Sequence, residues 1–165
     1  MLNRRLIAQY EKVAGLLKKL SWAPPLMIRL FMGTLFLLTG HGKLTHLPDV
    51  IKYFTELGIP LAQIQAPFVA CVEFFGGACL LVGLATRWVA LPLAGTMVVA
   101  LITAKSDAFQ SYDDFMGTAE VLYLLLLVAL MGLGGGWLSA DHFLSRKLPK
   151  TPSETHEENQ RKAVG

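Results

Sequence analysis

The sequence predicts an all-α integral membrane protein: a four-helix bundle with an N-terminal amphipathic interfacial helix and a disordered C-terminal tail. Three observations carry this. The chain is 53% hydrophobic and only 16% charged, whereas a soluble domain carries about 25% charged residues. Its apolar residues gather in runs of roughly 18, the length at which a helix crosses hydrocarbon. The charges are left mostly to the termini and one tight turn. A net charge of +3 placed that way sets orientation in a bilayer; no nucleic-acid motif accompanies it, so no nucleic-acid partner is expected.

Residues 1–21 place Leu2, Leu6, Ile7, Tyr10, Val13, Leu17 and Leu20 on one helical face, with most of the arginines and lysines elsewhere. A basic amphipathic helix ahead of a first span lies on an anionic leaflet. The four-span domain follows over residues 22–138, with spans at about 24–41, 62–84, 88–104 and 115–135. Pro24 and Pro25 open the first span, where a missing N–H costs nothing. Arg29, Gly33, Phe36, Gly40 and Lys43 then recur on one face. Small residues at that spacing let a second helix approach closely.

The loop after the first span is not featureless. Val50, Tyr53, Phe54 and Leu57 have helical spacing, and Gly58 and Pro60 end the pattern. On the second span Ala66, Ala70, Glu73, Gly77, Leu80 and Leu84 share a face. Thr86-Arg87 leaves room only for a tight turn, so the second and third spans are antiparallel neighbours. The fourth span carries Glu120 in its second turn and ends at Gly134-Gly135-Gly136. Residues 139–165 are charged, lack periodic apolar residues beyond Leu148, and read as a mostly disordered cytoplasmic tail.

Lysine and arginine concentrate at the N-terminus, the Arg87 turn and the tail. The positive-inside rule then puts both termini in the cytoplasm of a bacterial-type inner membrane. Trp22, Trp88 and Trp137 fall at the same expected interface.

Glu73 is the most informative residue. A carboxylate in hydrocarbon costs at least about 2.5–3.5 kcal/mol, so it faces a partner, a cavity or a substrate. It is either an ion-pair or hydrogen-bonding strut between helices, or a proton carrier or ligand-binding group. Glu120, Lys43 and His41 lie toward the same outer half, with Tyr123 and other aromatics near them, and together they make a candidate binding set. Its cavity is expected between the first, second and fourth spans, with Arg29 at its floor if the helices tilt. Arg29 otherwise pairs within the bundle or reaches the inner leaflet. Cys71 and Cys79 sit about 12 Å apart along one helix; they form neither a disulfide nor a C-x-x-C redox motif. His41 and His46 have no metal-binding spacing, and no span holds a histidine in its core for haem.

Arg29-x3-Gly33-x6-Gly40-x2-Lys43, Gly58-x-Pro60, Glu73-x2-Gly76-Gly77 and Gly83-x2-Thr86-Arg87 occur in that order across the spans. In this the chain resembles the DoxX family of small four-helix membrane proteins, over about residues 24–136. The resemblance implies a membrane subunit of a quinone-linked redox system or a stress-response protein, with a quinone as the candidate cofactor and a soluble redox partner or a second copy as the protein partner. The alternative is a non-enzymatic assembly factor or small-molecule carrier. Gly33, Gly40, Gly76, Gly77 and Gly83 are its helix-packing positions.

Overall fold

The computed structural model describes residues 22–104, 112–136 and 139–141, together with Glu11, Ala14, Gly15 and Leu20. The expected N-terminal amphipathic helix, those isolated positions apart, lies outside the described residues. So do the tail beyond Asp141, Trp137 and the side chain of Tyr112. Every regular element among the described residues is an α-helix: α1 (Ala23–Thr45), α2 (Leu47–Glu56), α3 (Ala62–Val82), α4 (Thr86–Thr103), α5 (Tyr112–Gly117) and α6 (Ala119–Leu133).

Helices α1, α3 and α4 are long and apolar enough to cross a membrane, and α6 is a shorter apolar helix. The four run alternately up and down. The main packings are α1 on α3 and α4 on α6; thinner α3–α4 and α1–α6 contacts complete the bundle. Met32, Phe36, Leu80, Leu93, Leu127 and Leu130 fill its centre. Large apolar side chains such as Met27, Leu38, Ile64, Phe75, Leu91, Ile102 and Leu125 stand exposed on the outside. That inside-out surface is what a lipid-solvated bundle presents.

Lipid tails are as apolar as leucine, so helices in a membrane associate by close packing rather than by the hydrophobic effect. The α1–α3 contact shows how. A Cβ on Gly33 would lie 2.9 Å from the backbone nitrogen of Leu81, and one on Gly77 would lie 2.8 Å from the carbonyl oxygen of Gly33. A Cβ on Gly40 would strike the backbone of Phe74 and Glu73. The two backbones therefore touch over the stretch of α1 from Gly33 to Gly40. Gly76 plays a different part, facing the side chain of Leu93 on α4. Leu84, expected on the buried face of the second span, is exposed, because α3 ends at Val82 and Gly83 turns the chain away at φ +75°.

The fourth apolar run is divided. Thr118 is extended (φ −74°, ψ 134°) and separates α5 from α6. Its hydroxyl donates to the carbonyl of Phe115 at 2.7 Å. Glu120 consequently lies in the first turn of α6, where a negative charge also complements the helix dipole.

Candidate functional site

At the end of the bundle where α1 stops and α3 begins, α3 and α4 diverge. A cavity of about 660 Å³ opens between them and is roofed by α2. Helix α2 supplies Val50, Tyr53, Phe54 and nearby Leu57, the apolar face read from the sequence. Its start is fixed by a proline in the first turn, and Gly58 closes it at φ +70°. Helix α3 supplies Gln65, Phe68, Val69, Val72 and Glu73; α4 supplies a wall from Pro92 to Thr103, continued by Ala104. Gly95 matters to that wall: a Cβ there would meet nothing within 4 Å, so the absent side chain leaves open volume.

The polar end of the cavity is an ion pair. Lys43 Nζ donates to Glu73 Oε1 at 2.5 Å, and the Glu73 side chain is only 2% exposed against 31% for Lys43. Gly40 brings the α1 backbone onto that of Glu73. Lys43 lies one turn further on, and the backward tilt of a helical Cβ carries its side chain toward Glu73. Glu73 Oε2 is buried and has no hydrogen-bond partner among the described residues. An ammonium has three donors, so Lys43 keeps capacity for a ligand while remaining bound to Glu73.

The opposite end is built from backbone. Arg29, 3% exposed, donates from Nη1 to the carbonyl of Gly135 at 2.7 Å. Gly83 makes room for it: a Cβ there would lie 2.8 Å from the guanidinium carbon and 2.8 Å from Cβ of Ser139. The carboxylate of Asp141 accepts from the amides of Ala85 (2.6 Å) and Thr86 (3.0 Å), capping α4 from outside its own segment. The amide of Asp141 donates to the Gly83 carbonyl at 3.1 Å. Arg87 donates to the Gly132 carbonyl at 3.2 Å. Here α1, the α3–α4 turn and the segment after α6 are joined.

The structure thus places Lys43, Glu73 and Glu120 on one cavity. It does not bring in the other three candidates. Arg29 is held at the far end, because the tight α1–α3 contact leaves no tilt to carry it toward Glu73. His41 is exposed, with its ring 6.3 Å from that of Phe74. Tyr123 packs on the core and lies 6.4 Å from the ring of Phe31. The walls also differ from expectation: they come from α2, α3 and α4, with α1 and α6 adding only Lys43 and Glu120. The reason is the thin α3–α4 contact, which splays away from its short turn. Sequence reasoning missed Asp49, Gln65 and Thr96 on this cavity, as well as Ser139 and Asp141, which belong to the folded part rather than to a loose tail. Among the described residues no group of histidine, cysteine, aspartate and glutamate could hold a metal ion.

Comparison with known proteins agrees with this architecture. The DoxX family model matches residues 25–106. The chain is 36% identical over 121 residues to a Bacillus subtilis protein named "Putative oxidoreductase CatD", covering 72% of this chain and 85% of that one. It is 31% identical over 133 residues to the inner membrane protein YqjF of Escherichia coli, covering 79% and 99%. It is 35% identical over 138 residues to an uncharacterized membrane protein of Mycobacterium tuberculosis, covering 75% and 84%. No solved structure gives a significant match. With the inside-out helical bundle, the close glycine contacts between α1 and α3 and these relatives, the chain belongs to the DoxX family of membrane proteins.

Proposed function

We propose that this protein binds a quinone-like ring in the α2–α3–α4 cavity and serves as the membrane subunit of a redox or stress-response system in the inner membrane. The observation that carries the reading is an apolar cavity of about 660 Å³ with a lysine–glutamate pair at its polar end. Small-molecule sites typically have that make-up: a few hundred Å³ of apolar wall and a few convergent polar groups. The Lys43 ammonium would donate to a ring carbonyl. Glu73 would hold the ammonium in place and offset its charge in hydrocarbon. Tyr53, Phe54 and Phe68 would cover the ring faces. A bound quinone would supply electron transfer between the membrane and a soluble partner. The oxidoreductase wording in the name of the Bacillus subtilis relative supports the same reading.

The test is extraction. Protein purified in mild detergent and treated with organic solvent should release a quinone in near-stoichiometric amount. Gly95→Phe fills the cavity without touching a charge and should release about one tenth as much or less. Equal release from both would mean that the quinone came with the detergent micelle, and no release from either would end the quinone reading.

The orientation proposed from the charges has both termini in the cytoplasm, with the Lys43 end facing out. A cysteine placed at Asp49 should react with an impermeant reagent in intact cells and one at Arg87 should not. The reverse pattern would invert the topology.

A further inference from the structure

The charges on the cavity are unbalanced, and their imbalance deepens the quinone reading, on which this inference rests. Among the described residues that line it, one cation, Lys43, stands with three carboxylates: Asp49, Glu73 and Glu120. Lys43 is already bound to Glu73 Oε1. Glu73 is 1% exposed, and its Oε2 is buried without a partner among the described residues. Neither Asp49 nor Glu120 makes a side-chain hydrogen bond or ion pair among the described residues. Asp49 lies in the first turn of α2 and Glu120 in the first turn of α6, both at the Lys43 end. Gln65, the amide on the wall, gives its N–H to the Pro60 carbonyl at 2.7 Å.

An ionised carboxylate only accepts hydrogen bonds. Three carboxylates on the described lining therefore outweigh its donors, which are the Lys43 ammonium, the Tyr53 phenol and the N–H of Gln65 not given to Pro60. A ring dione brings two more acceptors, and Lys43 is the one charged donor among the described lining residues that can answer them. A dihydroxy ring brings two O–H donors, which the carboxylates can accept in charge-assisted bonds. An anionic head meets like charge in a low-dielectric wall. We infer that the cavity discriminates by hydrogen-bond donation: it takes the reduced, dihydroxy form of its ring ligand in preference to the dione, and it rejects anionic amphiphiles of the same size.

The experiment is anaerobic titration of the protein in lipid nanodiscs with a short-tailed hydroquinone, the matching benzoquinone and a tailed benzoate. The hydroquinone should bind about tenfold tighter than the benzoquinone, the factor expected from one hydrogen bond to a charged acceptor. The benzoate should bind more weakly than both. Preferential binding of the reduced form stabilises it, so the midpoint potential of the bound couple should rise by about 30 mV for a tenfold preference in a two-electron couple. Glu120→Gln, which removes an acceptor charge at a half-buried position, should shrink both the preference and the potential shift while the thermal midpoint falls only slightly, by the lost charge–dipole contribution. Equal or tighter binding of the benzoquinone would overturn the discrimination and leave the ring site standing. So would benzoate binding that matches the hydroquinone. Binding of none of the three would overturn the ring site itself.

Discussion

Arg29 and Glu73 are both buried charges on the α1–α3 contact, and they have opposite surroundings. Arg29 donates to a backbone carbonyl, and around it Asp141 caps α4 while Ser139 packs against Gly83. Glu73 binds one lysine, keeps an unpartnered oxygen and borders an open cavity. Two intramembrane charges of similar burial therefore need not have similar roles. What separates them is whether empty volume lies beside the charge, as it does at Glu73. The Arg29 end holds the bundle together; the Glu73 end is arranged to hold something else.

That contrast is most severely tested at Gly40, which both ends depend on through the α1–α3 contact. Gly40→Val would drive a branched side chain into the backbone of Phe74 and Glu73. Overpacking costs about 1–3 kcal/mol even where side chains can move, and here a backbone stands in the way. Folded protein should not accumulate in the membrane. Normal accumulation would mean that the helices are further apart than described.

Lys43→Met comes next. It strands a buried carboxylate, at a cost of about 3–5 kcal/mol, and should lower the thermal midpoint in detergent sharply. The double variant Lys43→Met with Glu73→Leu removes both charges and should recover most of the loss without recovering quinone. If the single variant is as stable as the double, the pair contributes nothing to the bundle and the Glu73 end has been misassigned.

Asp141→Ala should have the smallest effect on stability, about 1–2 kcal/mol for a lost helix cap, and should leave the quinone content unchanged. Loss of quinone from folded Asp141→Ala protein would show that the two ends act as one unit.

Much of this was legible in the sequence, for identifiable reasons. Glu73 stands out because a charge in an apolar run has few explanations. Gly33 and Gly40 stand out because small residues recurring on one helical face point to a close neighbour, and the α2 face follows from the spacing of Val50, Tyr53, Phe54 and Leu57. The Gly135 carbonyl that Arg29 meets was not legible: it lies 106 residues away, and every residue has a carbonyl. Asp141 was hidden at the edge of a charged tail, since a cap supplied from a distant segment leaves no local pattern. The α4 wall was equally silent, because Pro92 and Gly95 read as ordinary interruptions of a span. The break at Thr118 had a signal, a threonine followed by an acid in the next turn, but the apolar run around it concealed the boundary.

That break has a consequence for the lipid itself. Helix α6 has 15 residues, so at about 1.5 Å per residue it is about 22 Å long. A hydrocarbon layer is about 30 Å thick, so a crossing on this side needs more than α6 alone. Either α5 completes the crossing at an angle or the bilayer thins beside α6, and thinning carries a modest cost for each ångström of mismatch. The protein should then be sensitive to acyl-chain length, with a higher thermal midpoint in nanodiscs of shorter-chain lipids than in longer ones. A midpoint indifferent to chain length would show that α5 spans the missing depth, and the thickness of the surrounding membrane would have no hold on this side of the bundle.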